Sequence, residues 1–188
     1  MLLASSIAWA ADSAPLISGT FTPPRAAPEF IVSGSNGHPL QLSDYRGKVV
    51  VLGFGFTSCA NVCPITLAVL AQARKKLGAL GEQVQIVYLT VDPERDDAAL
   101  LRRYLKTFDP SFIGGTGASE LLAEVREAYG ILATKKVEAH GYTVAHSSYT
   151  YLIDRDGKLR ALMPFGHSAE DYAHDIGVLL AQPSPAAR

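Results

Sequence analysis

The chain has 188 residues, 48% hydrophobic and 19% charged, with 17 Lys and Arg against 18 Asp and Glu for a net charge of −1. That is enough apolar material for one substantial core and therefore one domain. The basic residues are scattered, which leaves no electrostatic footprint for nucleic acid and excludes that class of partner.

Met1 to Ala10 is a short apolar run that closes on Ala8-Trp9-Ala10, the small-x-small pattern of a signal-peptidase site. It is too short to span a bilayer. Residues 1–10 are therefore read as a signal peptide and the chain as exported to the periplasm, with inner-membrane association expected if the natural start lies further upstream. Residues 11–28, rich in Ala, Ser and Pro, read as a flexible lead-in. One folded domain is expected over 29–182, followed by a tail over 183–188. Within it, Phe30-Ile31-Val32 and Leu40-Gln41-Leu42 flank Asn36-Gly37, a tight-turn signal that predicts a small hairpin.

Val49 to Phe56 is continuously apolar or glycine, as suits a central strand covered on both faces. It runs into Thr57-Ser58-Cys59-Ala60-Asn61-Val62-Cys63-Pro64, which holds the only two cysteines. Cys63-Pro64 reads as the start of a helix, because Pro suits a first helical turn. Unpaired amides and the positive end of the helix dipole favour thiolate, so both sulfurs are expected to be more acidic than a free cysteine. Two cysteines at this spacing admit three chemistries: a disulfide pair, a redox dithiol, or two soft metal ligands suited to Cu(I) or Zn(II).

The helix opened by Pro64 carries Ile65, Ala68, Val69, Ala73, Leu77 and Leu80 at helical spacing, with Gly81 as its stop. Val84 to Val91 reads as a second strand. Asp96 and Asp97 lead a helix over 98–108, and the acidic stretch from Asp92 to Asp96 is open to two readings, a solvated helix start or negative charge placed near the thiols. Gly114-Gly115-Thr116-Gly117 reads as a flexible turn, since no Lys-Ser/Thr follows to make a phosphate loop. Ser119 is expected to cap the next helix. Tyr149 to Ile153 and Leu159 to Met163 form a hairpin through Asp154-Arg155-Asp156-Gly157, and Ser168 to Asp171 has capping-box chemistry for a last helix. Of the five histidines, only His146 precedes a core strand from a turn-like stretch. His140 is the fallback ligand, and His38 sits beside a solvated turn.

Four blocks in order resemble the Sco/SenC family of copper proteins: Phe54-Gly55-Phe56-Thr57-x-Cys59-x-Asn61-Val62-Cys63-Pro64; Thr90-Val91-Asp92-Pro93-Glu94-Arg95-Asp96; Phe108-Asp109-Pro110 with Phe112-Ile113-Gly114 and Thr116-Gly117; and His146-Ser147 with Tyr151-Leu152-Ile153-Asp154 and Asp156-Gly157. The resemblance covers about residues 28–181. It implies an α/β, thioredoxin-like fold with a central mixed sheet flanked by helices and an added N-terminal hairpin. It also implies one copper ion, as Cu(I) or Cu(II), held by Cys59, Cys63 and His146. The function it implies is that of a metallochaperone that delivers copper to the binuclear copper centre of cytochrome c oxidase or prepares that centre's thiols. The implied partners are the copper-centre subunit and, in the periplasm, another copper chaperone or a thiol reductant.

A three-coordinate Cys2His set suits copper, whereas structural zinc normally takes four protein ligands. The competing reading is enzymatic: a periplasmic thiol-disulfide oxidoreductase that uses Cys59 and Cys63 without metal. Thioredoxin-type reductases place a cis-proline opposite the dithiol, but here no proline lies between Pro110 and Pro164, and Ala145-His146 takes that place. A peroxiredoxin match fails because its threonine three residues before the cysteine is Ala60. Two positions depart from the family pattern: Ala60 replaces a proline, and Ala145 replaces an aspartate before the histidine.

Overall fold

The computed structural model describes residues 14–139 and 141–183. The signal segment 1–10, His140 and most of the tail lie outside the described residues. The sheet is built around β4 (Val49–Gly55) and β5 (Val84–Thr90), which pair in parallel with Val49 opposite Val84 and Gly55 opposite Thr90. Every residue of both strands is buried. Successive side chains of a strand point to opposite faces, so complete burial means that both faces are covered.

The expected hairpin forms from β2 (Ile31–Gly34) and β3 (Pro39–Gln41), with Gly37 in the left-handed region at φ 87. It pairs antiparallel with β6 (Ile113–Thr116), which in turn runs parallel to β5. On the other side of β4 lie β9 (Tyr149–Ile153) and β10 (Lys158–Pro164), antiparallel as predicted. The eight-stranded order is completed by β1 (Gly19–Ala26): β1-β10-β9-β4-β5-β6-β2-β3. Among the described residues, four α-helices accompany the sheet: α1 (Val62–Lys76), α2 (Ala98–Lys106), α3 (Ser119–Tyr129) and α4 (Ala169–Ala181). The predicted α/β arrangement with a mixed sheet is therefore present.

Several local expectations are corrected. The lead-in predicted over 11–28 contains β1, an edge strand paired with β10. Buried Asp175 in α4 holds the residues before it, accepting hydrogen bonds from the Ile17 and Ser18 amides at 2.8 and 3.0 Å and from the Ser18 hydroxyl. Burial alone pushes the Asp175 carboxyl up, but the donors, led by Ser18, outweigh it and leave it below the usual carboxylate range. Gly114 to Thr116 is strand rather than a flexible turn. A Cβ at Gly114 would lie 2.9 Å from Leu105 and 3.0 Å from Leu101, so bare backbone is what lets α2 sit against β6. The first helix ends at Lys76, and a 3-10 turn over Gly78–Gln83 bridges to β5. At α3 the capping position is Ala118, with no side-chain cap. The Ser168 capping box at α4 is formed as predicted.

A second, two-stranded sheet was not foreseen: β7 (Ala133–Glu138) and β8 (Gly141–His146), antiparallel with Ala133 opposite His146. His146 is thus the last residue of a strand rather than part of an open turn. The hairpin is closed at its base by the Ser147 amide donating to the Leu132 carbonyl at 2.9 Å and the Leu132 amide donating to the Ser147 hydroxyl at 3.1 Å.

Candidate functional site

Strand β4 ends at Gly55, and the chain turns through Phe56 to Asn61 into α1. Asn61 makes no side-chain cap to that helix. The sulfur of Cys59 takes the role instead, accepting from the Cys63 amide at 3.5 Å. Burial pushes the Cys59 thiol up, but the amides of Asn61, Cys63 and Val62 and the Cys63 thiol outweigh it, so the group titrates below an ordinary cysteine. Cys63 behaves in the opposite way. It is 3% exposed, and burial pushes its thiol up to about 12 against the opposing pull of the Tyr88 hydroxyl and the Phe56 backbone. The expectation that both sulfurs are acidified thus holds for Cys59 alone, because desolvation at Cys63 exceeds what the helix terminus supplies. Both cysteines are free.

This asymmetry sets an order of reaction. Thiolate is the nucleophile, so Cys59 is expected to alkylate first with iodoacetamide, its rate rising with pH and levelling off below the ordinary cysteine range, while Cys63 stays silent until strongly alkaline pH. Peptide mapping by mass spectrometry after short exposures at a series of pH values checks this. Equal labelling of the two positions near pH 8 contradicts it.

Across the turn, His146 brings its Nε2 to 3.7 Å from Cys63 Sγ. Its Nδ1 lies 2.8 Å from the Ser147 carbonyl. A carbonyl only accepts, so Nδ1 carries the proton and a neutral ring leaves the Nε2 lone pair facing the sulfur. Burial lowers the pKa of the ring, opposed by the Ser147 hydrogen bond, which keeps it neutral at physiological pH. The Ser147 carbonyl thus orients the imidazole where the family pattern has a preceding carboxylate and this chain has Ala145. A cavity of about 20 Å³ lies between Cys63, Tyr88, His146, Tyr149 and Thr150, a space on the scale of one water or one ion. The structure therefore brings Cys63 and His146 together. Cys59 faces the amides of α1, and among the described residues no three His, Cys, Asp or Glu side chains already stand as a closed ligand group.

The hairpin that carries His146 is fastened by Asp92 and Arg95 of the acidic stretch together with Tyr142, which the sequence did not single out. The Arg95 guanidinium stacks 4.0 Å over the Tyr142 ring and donates to the Tyr142 carbonyl at 3.0 Å. It also pairs with Asp92, whose other oxygen accepts from the Tyr142 hydroxyl at 2.7 Å. Arg95 further faces Phe56, which meets His146 edge to face at 5.9 Å. Asp92 and Asp96 are fully buried, so the reading of this stretch as a solvated helix start is wrong. Asp96 accepts from the Thr57 amide at 3.0 Å, the Thr57 hydroxyl at 2.5 Å and the Thr90 hydroxyl at 2.7 Å, tying the turn before Cys59 to the end of β5. The residue run Asp92 to Asp96 was visible in the sequence; its partners Tyr142 and Thr57 were not.

A family profile described as SCO1/SenC matches residues 19–181. The chain belongs to the SCO1/SenC family. It is 38% identical over 152 residues to the mitochondrial SCO2 homolog of Mus musculus, covering 79% of this chain and 60% of the mouse protein's own length. Among solved structures it resembles Bradyrhizobium japonicum ScoI with copper bound, at 30% identity and TM-score 0.76, over 82% of this chain and 99% of that one. It also resembles the apo Sco1 protein of Thermus thermophilus, at 34% identity and TM-score 0.73, over 88% and 94%. With these Sco neighbours the fold is thioredoxin-like: the two cysteines of this SCO1/SenC member lie at the first strand-to-helix turn of the parallel pair β4–β5.

Proposed function

We propose that this SCO1/SenC protein is a copper carrier of the periplasm, holding one copper ion on Cys59, Cys63 and His146. The client we propose is the binuclear copper centre of cytochrome c oxidase, which the protein loads or whose cysteines it reduces before loading. Another periplasmic copper chaperone or a thiol reductant is the proposed supplier, and attachment to the inner membrane is proposed if the natural chain begins further upstream. The observation that carries this reading is the approach of His146 Nε2 to Cys63 Sγ across 83 residues of sequence. A neutral imidazole lone pair and a sulfur sharing one small cavity form a soft N,S donor set, and a thiolate at Cys59 supplies the third arm.

The test uses the reduced, metal-free protein and a Cu(I) chelator in competition. Wild type is expected to take Cu(I) one to one, and His146→Ala to lose affinity by more than the ~10–100-fold typical of second-shell changes around metal ligands. Equal competition by wild type and His146→Ala removes His146 from the ligand set.

A second reading keeps one observation on its side. A half-exposed, acidified Cys59 paired with a buried, raised Cys63 is an arrangement suited to thiol-disulfide exchange, with Cys59 attacking and Cys63 resolving. A wild-type protein that ignores Cu(I) yet reduces a protein disulfide selects that reading.

A further inference from the structure

Among the described residues, few buried side-chain polar atoms lack a hydrogen-bond partner, and one of them is the hydroxyl of Tyr88. Tyr88 is 3% exposed, on β5, with its neighbours on either side equally buried. A phenol in such a place costs free energy unless something uses it. What it faces is decided at Gly55. A Cβ there would lie 1.9 Å from Tyr88 Oη and 2.7 Å from Cys63 Sγ, so the two atoms meet over the same bare stretch of backbone. Both also line the small cavity that His146 enters. The hydroxyl stands close enough to pull the Cys63 thiol down against its burial, yet it has no formed hydrogen-bond partner.

We propose that Tyr88 is a positioning residue whose hydroxyl donates a hydrogen bond to the Cys63 sulfur once that sulfur gives up its proton to metal or to exchange. In the resting arrangement Cys63 keeps its thiol proton, with its sulfur 3.7 Å from His146 Nε2, and a neutral sulfur gains little from a further donor. When copper replaces that proton, the sulfur carries negative charge in a dry pocket, and the waiting phenol becomes its charge-assisted partner. Tyr88 thus leaves the resting protein slightly destabilised and strengthens the loaded one. This inference rests on the copper-carrier reading for its metal arm, but the donor itself is defined by geometry at a cysteine and extends to thiol exchange.

Tyr88→Phe removes one oxygen and keeps the ring. Three measurements on the full chain separate the outcomes. Chemical unfolding of the reduced, metal-free protein is expected to show Tyr88→Phe as stable as wild type or more so, because an unpartnered buried hydroxyl is gone. Cu(I) competition is expected to show about a 10-fold loss of affinity, within the range for outer partners of metal ligands.

The rate of disulfide closure with glutathione provides an arm independent of copper. Oxidised glutathione takes two electrons from the Cys59 and Cys63 thiols, yielding their disulfide and two reduced glutathione thiols, with no net proton change. In the closing step Cys63 gives up its proton and attacks the mixed disulfide on Cys59, releasing the second glutathione thiol, and Tyr88→Phe is expected to slow that step several-fold, because the ionised sulfur loses its donor. If wild type fails to bind Cu(I) while Tyr88→Phe still slows the closing step, the carrier reading falls and the role of Tyr88 stands. If Tyr88→Phe matches wild type in both Cu(I) affinity and closing rate, or lowers stability in step with affinity, the role assigned to Tyr88 is overturned.

Discussion

Replacing Asp96 by Ala is expected to destabilise the protein by about 3–5 kcal/mol, the cost of leaving several buried donors unpaired around a lost charge. Asp96 is fully buried and is the acceptor for the Thr57 amide, the Thr57 hydroxyl and the Thr90 hydroxyl. Its own carbonyl receives the Thr116 hydroxyl at 2.7 Å, so one residue joins the cysteine turn, the end of β5 and the end of β6. At a urea slope of about 2 kcal/mol/M the unfolding midpoint is expected to fall by roughly 2 M. Asp96→Asn keeps one acceptor oxygen and is expected to lose about half as much, on the same per-donor scale. A midpoint within 0.3 M of wild type (about 0.6 kcal/mol at the same slope) for Asp96→Ala contradicts the account, because it means the three donors find other partners.

Gly55→Ala is expected to have the largest effect on the site. The added methyl would overlap Tyr88 Oη and Cζ and Cys63 Sγ, all at 2.7 Å or less from its carbon. None of these is the free end of a flexible chain: the tyrosine ring is held in the core, and the sulfur sits on the first turn of α1. Overpacking of this kind costs about 1–3 kcal/mol in stability. The displaced sulfur matters more, and Cu(I) affinity is expected to fall beyond the ~100-fold upper range of outer-sphere changes. The double variant Gly55→Ala with Tyr88→Phe relieves the shortest overlap and is expected to regain part of the stability, a coupling that additive effects do not produce. Stability and Cu(I) affinity both within error of wild type for Gly55→Ala would contradict the close approach of Tyr88 and Cys63.

Much of this arrangement is legible in the residues, and the part that is not follows a physical pattern. The run Val49 to Phe56 announces a central strand because burial on both faces demands continuous apolar character. The hairpins at Asn36-Gly37 and Asp154 to Gly157 announce themselves by turn chemistry, and Ser168 by its capping box. β7 stays hidden because nearly all of it is exposed on both faces, leaving Thr134-Lys135-Lys136-Val137-Glu138 without a two-residue alternation to read. β1 is masked by Pro23 and Pro24, and an edge strand tolerates proline because one side of its ladder is unused. β6 is masked by Gly114 and Gly115, whose missing side chains serve the close approach of a helix and of Leu89, Val32 and Leu40.

At the site, the cysteines and His146 are readable by type and spacing. The titration of Cys63 is not, since the helix terminus is visible in the sequence while the depth of burial that overrides it is a tertiary fact. Tyr88, Arg95 and Tyr142 escape for the same reason: each acts on a partner that only the fold brings near.

The hold of Asp175 on Ile17 and Ser18 bears on the order in which the molecule is assembled. The two ends of that contact are 157 residues apart in the chain, and within the sheet β1 has no partner except β10. Bringing such distant segments together is slow compared with closing the local β2–β3 or β9–β10 hairpins, because each carries the entropy of the loop between its ends. β1, the first described strand in chain order, is thus the last able to dock, and it waits until residues 158–175 have been made and α4 has formed. Until then β10 presents an unpaired edge, a template for another chain. A growing or truncated chain that stops short of Asp175 lacks the residue that holds the residues ahead of β1, so completion of the sheet also certifies that the chain has been made through the middle of α4.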